Sequence, residues 1–157
     1  KANIRRMRAE VLLDCINEVT GSKEKFRGLP LGARAVEIVD GRTTTFFLTT
    51  FGRASRDTVC SCEVKMEPNL SQALHLLNGD TVNSKIVNGG IIRAALKDGK
   101  EPKQIIEQLY LSCFARKPTE AEMTKLEPFF ADGREKSEVL NDVFWSVLNT
   151  KEFLFNH

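Results

Sequence analysis

From Glu101 onward the chain repeats a single period. Ile105, Ile106, Leu109, Tyr110, Cys113 and Phe114 recur at three- and four-residue intervals, the spacing that lines apolar side chains along one helix face. Glu101-Pro102 puts proline at a first helical position, where its missing N–H is no loss, and Lys117-Pro118 ends the segment. Thr119-Glu-Ala-Glu122 is a capping box: the hydroxyl accepts a backbone N–H and the carboxylate reaches back. The helix it starts carries Met123, Leu126, Phe129 and Phe130. After an Asp132-Gly133 turn, Val139, Leu140, Val143, Phe144, Val147 and Leu148 form another stripe. Consecutive amphipathic helices on short turns must bury their stripes against one another. That commits the chain to a mainly α body. The apolar close, Phe153-Leu154-Phe155, predicts an end that docks.

The first two-thirds is more mixed. Ile4, Met7, Val11, Leu12, Cys15 and Val19 predict a helix over residues 3–20, closed by Gly21. The basic start (Lys1, Arg5, Arg6, Arg8) reads as a solvated face. Ala35 to Val39 and Thr43 to Thr50, flanking Asp40-Gly41, predict a β-hairpin over about residues 35–50. Phe46 and Phe47 would be its anchors on opposite sides. Phe51 to Glu67 has no period and reads as a long irregular loop, about 51–67. Pro68 opens a short helix to Asn78. Asp80 or Thr81 caps the next, Gly89-Gly90 breaks it, and Ile91 to Lys97 resumes. The expected fold is therefore mainly α: a compact multi-helix single domain, 1–157, with one hairpin and one long loop.

Composition narrows the function classes. The 157 residues carry 23 Lys plus Arg against 21 Asp plus Glu, a formal charge of +2. Such a balance argues against a dedicated nucleic-acid binder. With 41% apolar residues the chain suits an ordinary globular core rather than disorder or a fibrous rod. No apolar run is long enough to span a bilayer.

The cysteines are Cys15, Cys60, Cys62 and Cys113. Cys15 and Cys113 fall in helical stripes and read as buried thiols. Cys60 and Cys62 stand apart, one Ser between them in a polar segment. Zinc sites want C-x₂₋₄-C spacing and two further ligands, so C-x-C with His75 is a weak metal candidate, with Glu63 or Glu67 completing it. The pair could instead form a small strained disulfide of labile, redox-active type. Covalent haem needs C-x-x-C-H, which the chain lacks. Neither G-x-S-x-G, H-E-x-x-H nor a P-loop is present. His75 within Leu74-His-Leu-Leu77 reads as a core or edge histidine. Arg53 and Arg56 read as internally paired with nearby acids, pinning the loop over the helices.

Several segments together resemble one family. They are Thr50-Phe-Gly-Arg-Ala-Ser-Arg56, Cys60-Ser-Cys-Glu63, Glu67-Pro-Asn-Leu-Ser-Gln-Ala-Leu-His-Leu-Leu-Asn-Gly-Asp80, Leu109-Tyr-Leu with Arg116-Lys-Pro-Thr119, and the closing Leu148-Asn-Thr-Lys-Glu-Phe-Leu-Phe-Asn-His157. The chain is similar over nearly its whole length to the planctomycete surface-protein C-terminal domain of unknown function, number fifteen-fifty-three in its series. The resemblance implies the C-terminal module of a large exported protein, following a sister domain, often with a cytochrome c-type or carbohydrate-binding-like module. It implies no reaction and no cofactor. The positions matching its polar signature are Arg53, Arg56, Cys60, Cys62, Glu63, Glu67, Gln72, His75, Asn78 and Asp80. Val64 departs from it, where an Arg commonly follows the Glu.

The expected function is a noncatalytic interaction or scaffold module packing against the sister domain of its own polypeptide or another surface protein. The alternative is part of a composite metal- or haem-binding or catalytic site using Cys60, Cys62 and His75.

Overall fold

The stripes of the final third meet around one helix. The computed structural model describes residues 5–39, 41, 43–54, 72 and 80–156. Among these, β1 (Arg5–Arg6) is followed by α1 (Ala9–Thr20), a 3₁₀ turn (Ala35–Glu37), α2 (Phe46–Thr50), α3 (Asp80–Gly89) and α4 (Ile91–Lys97). Then come α5 (Pro102–Phe114), α6 (Glu120–Ala131), α7 (Lys136–Leu148), α8 (Lys151–Leu154) and β2 (Phe155–Asn156). Every member of the predicted stripe on α7, from Val139 to Leu148, is buried. α3, α4, α5, α6 and α8 all pack on α7, while α1 packs on α2, α3 and the 3₁₀ turn.

The helix boundaries follow the capping residues. Gly21, in the left-handed region at φ +69°, closes α1, its N–H donating to Asn17 O and Glu18 O. Thr119 Oγ1 accepts from Glu122 N at 3.3 Å, and Thr119 N donates to Glu122 Oε2 at 2.7 Å, completing the capping box. α1 begins later than expected because the preceding residues are extended. β1 pairs antiparallel with β2, Arg5 opposite Asn156 and Arg6 opposite Phe155, and Met7 N donates to Leu154 O at 3.1 Å. The apolar end docks, with Phe153 buried. The inward face of α1 is Ala9, Leu12, Leu13, Ile16 and Thr20, rotated from the predicted stripe so that Val11 is exposed.

The expected hairpin at 35–50 does not form. Its first arm holds the 3₁₀ turn and its second holds α2. The cause is long-range. Ala35 N and Val36 N donate to the Asp14 carboxylate at 2.5 and 3.2 Å, and Arg34 N donates to Glu37 Oε2. Those donors are thereby withdrawn from any ladder. Thr45 Oγ1 accepts from Leu48 N and starts a helix, which buries Phe47 and Leu48 and stacks Phe47 on Phe51 at 4.3 Å. β-branched composition expresses fit to a pleated surface and yields to tertiary context. Of the expected loop at 51–67, Phe51 to Ala54 close α2, Gly52 at φ +76°; the rest lies outside the described residues.

Among the described residues no helix is long and apolar enough to cross a membrane.

Candidate functional site

Among the described signature residues, Arg53 has the fullest set of partners. Its side chain is only 2% exposed, with Nε 3.3 Å from Glu10 Oε1 on α1. Nη1 donates to Thr43 O at 2.6 Å and Nη2 to Ile38 O at 3.2 Å. A two-residue turn at Asp40-Gly41 would have set Ile38 opposite Thr43. The two residues do come together, bridged by a guanidinium in place of a β-ladder. Only a planar, permanently charged fork can reach two carbonyls and a carboxylate at once.

Two further buried side chains brace the same segment. Gln72, itself buried, donates from Nε2 to Thr50 O at 3.1 Å. Arg6 donates from Nη2 to Phe51 O at 2.9 Å and lies 5.3 Å from the centre of the Phe51 ring. The basic start of the chain is thus not wholly a solvated face: Arg6 is buried, and burial pulls its pKa below the ordinary arginine value. Arg6, Arg53 and Gln72 all terminate on main-chain carbonyls between Ile38 and Phe51. An irregular segment that buries its backbone needs such partners.

A second polar group lies at the end of α1. Lys85 on α3 is buried, donating from Nζ to Asn17 Oδ1 at 2.7 Å and pairing with Glu24. Ser22 Oγ bonds Asn17 Oδ1, and Thr20 Oγ1 bonds Ile16 O. A cleft of about 610 Å³ runs along this flank, lined in part by Asp14, Cys15, Asn17, Glu24 and Arg34. Asp14, which the stripe reading passed over, anchors it. A charged residue between Leu13 and Cys15 on a helix's packed side is a signal that it has a buried partner.

The Arg116-Lys-Pro-Thr119 motif makes a third constellation. Arg116 forks onto Glu122, Nη1 to Oε2 at 3.0 Å and Nη2 to Oε1 at 2.9 Å. It also reaches Glu152 in the closing motif, Nε to Oε1 at 2.7 Å and Nη2 to Oε2 at 2.8 Å. Its guanidinium sits over the rings of Tyr110 and Phe114 at 5.4 and 5.3 Å. Hydrogen bonding to Arg116, then to the Thr119 backbone, holds the Glu122 carboxyl down to about 2.

The remaining signature positions are placed as follows. Asp80 opens α3. Arg56, Cys60, Cys62, Glu63, Glu67, His75 and Asn78 lie outside the described residues, as does any meeting of Cys60, Cys62 and His75. Among the described residues no three His, Cys, Asp or Glu side chains gather as a metal site. Cys15 and Cys113 are free thiols, each half-buried. Burial pushes Cys113 up to about 12, and burial followed by the Asp14 charge raises Cys15, so both are poor nucleophiles.

The family model described as PSD1, protein of unknown function (DUF1553), matches residues 1–130. The chain belongs to the PSD1 family. The PSD1 match takes in Arg53, Gln72, Arg116 and Glu122 and stops at the end of α6. α7 and the closing motif with Glu152 lie beyond it, a shorter span than the sequence resemblance suggested. Neither a curated protein nor a solved structure matches the chain.

Proposed function

We propose that this PSD1 domain is a noncatalytic interaction module that packs against another domain of a larger exported protein. The observation that carries the reading is the use made of Arg53. A residue matching the family's polar signature is buried and committed to Ile38 O, Thr43 O and Glu10, so it braces a surface segment and presents no charge to a ligand. Gln72 serves the same segment through Thr50 O. The braced stretch turns large apolar side chains outward, Val39 at 83% and Phe46 at 75% exposed, with Leu31 and Val36 nearby in sequence. Apolar side chains held on a rigid frame are what an inter-domain seam uses.

The test is association in trans. The preceding domain of the parent polypeptide, expressed separately, is titrated into the 157-residue chain by calorimetry. Binding that weakens at least about tenfold in Val39→Ser and Phe46→Ser supports the seam, roughly the 1.4 kcal/mol expected of an interface anchor. Absence of binding by the unaltered chain, or binding indifferent to both substitutions, overturns it.

A further inference from the structure

α5 and α6 are joined differently at their two ends, an apex at the Ala115 turn and a mouth where both helices line an apolar cleft. At the apex, Ala115 takes the left-handed conformation at φ +55°, and Arg116 ties Glu122 in the first turn of α6 to Glu152. The mouth lies at the other end, where the start of α5 meets the end of α6. There Pro102, Lys103 and Ile106 face Met123, Leu126 and Phe130 across a cleft of about 240 Å³. That is room for several water molecules at roughly 30 Å³ each, left between two largely apolar walls.

α6 itself is weakly held. It buries no residue. Met123, Leu126 and Phe130 are partly buried against the core, and Phe129 is 54% exposed. Pro128 sits inside the helix, where it removes the hydrogen bond to Thr124 O and crowds that turn. Thr124 bends its hydroxyl back to Glu120 O at 2.9 Å, a bond that also loosens a helix. Gly133, at φ +74°, follows the helix as a second turning point. α7, by contrast, buries its whole stripe.

We propose that α6 is a hinged strap, latched at its first turn by Arg116 and opening at its Leu126–Phe130 end, so that the cleft against Ile106 widens while α5 and α7 stay in place. Segments with few buried contacts open locally at far lower free energy than the global transition. The latch keeps the motion a swing rather than a detachment. Its consequence is a gated apolar face between α5 and α6.

Native-state hydrogen exchange on the 157-residue chain tests it. Amides of residues 125–127 and 129–131 are expected to exchange at least about 100-fold faster than those of α5 and α7, with little dependence on low denaturant. Restoring the missing donor with Pro128→Ala, a change that favours the helix, should slow that exchange by about tenfold while leaving α7 unaltered. Arg116→Ala should extend fast exchange into residues 120–124. Exchange of α6 in step with α7, or no response to Pro128→Ala, overturns the proposal.

Discussion

Arg116 Nε lies 2.7 Å from Glu152 Oε1, joining two signature motifs that are far apart in the chain. One guanidinium thereby fixes the end of α5, the start of α6 and the short helix α8. Exposed single ion pairs contribute little, but a bidentate, ring-stacked network contributes more. Arg116→Ala is expected to lower stability by about 1–2 kcal/mol in urea unfolding. Arg116→Lys, which loses the fork, should recover less than half of that. A full recovery by Lys would show that charge alone is what matters.

The Glu122 carboxyl gives that network an acid limb. Its pKa is lowered from 4.5 to about 2. A depressed carboxyl stabilises the fold fully above its unfolded pKa and loses that contribution as pH falls through the folded one. The stability difference between the wild type and Glu122→Gln should therefore be constant above about pH 5 and shrink steadily between about pH 4.5 and 2. Added salt should reduce it throughout, because the group is partly exposed. Urea midpoints at a series of pH values measure both trends.

Arg53 is the more sensitive position. Arg53→Ala strands the Ile38 and Thr43 carbonyls and leaves Glu10 without its partner. Breaking such a buried pair costs about 3–5 kcal/mol. Arg53→Lys should be nearly as damaging, since one ammonium cannot span three acceptors. Thermal unfolding of both variants checks this. A Lys variant close to wild type would mean that the three-way bridge is unimportant.

At the crossing of α1 and α3 the limit is steric. A Cβ on Gly89 would lie 1.7 Å from Thr20 O, a main-chain atom. Gly→Ala inside a helix normally stabilises by about 0.5–1 kcal/mol. Here the sign should invert, with a loss of at least about 3 kcal/mol as the helices are forced apart. Denaturant unfolding of Gly89→Ala measures it, against Gly28→Ala, where the added Cβ meets nothing and the left-handed strain at φ +79° acts without a clash.

The thiols offer a chemical check. With Cys113 pushed up to about 12, its thiolate is scarce at pH 8. Alkylation of Cys113 should be at least about 100-fold slower in the native protein than in urea, read by peptide mass.

The helical part of this fold could be read in advance because its information is local. Thr119 and Glu122 are three residues apart, Pro102 and Gly21 act where they stand, and the α7 stripe has one period throughout. The segment 35–50 could not, because its fate is decided by Asp14 and Arg53, one well before it and one just after. Nothing in Ala35 to Val39 records that a carboxylate on α1 will take the N–H groups of Ala35 and Val36. Arg53 shows the same limit for the site. The sequence reading gives it an internal acid partner among the acids near it in the chain, but only the folded packing sets that partner at Glu10 on α1.

The pairing of β1 with β2 has a mechanical consequence. Arg5 sits opposite Asn156 and Arg6 opposite Phe155, so the two strands leave the body side by side and in the same direction. Tension drawing them apart would load their hydrogen bonds one after another, as in opening a zip, rather than all together as in shear. The ribbon should give way at low force and relieve the load before α7 and its neighbours are disturbed. A domain tethered through those strands would lengthen slightly under a gentle pull and keep its core.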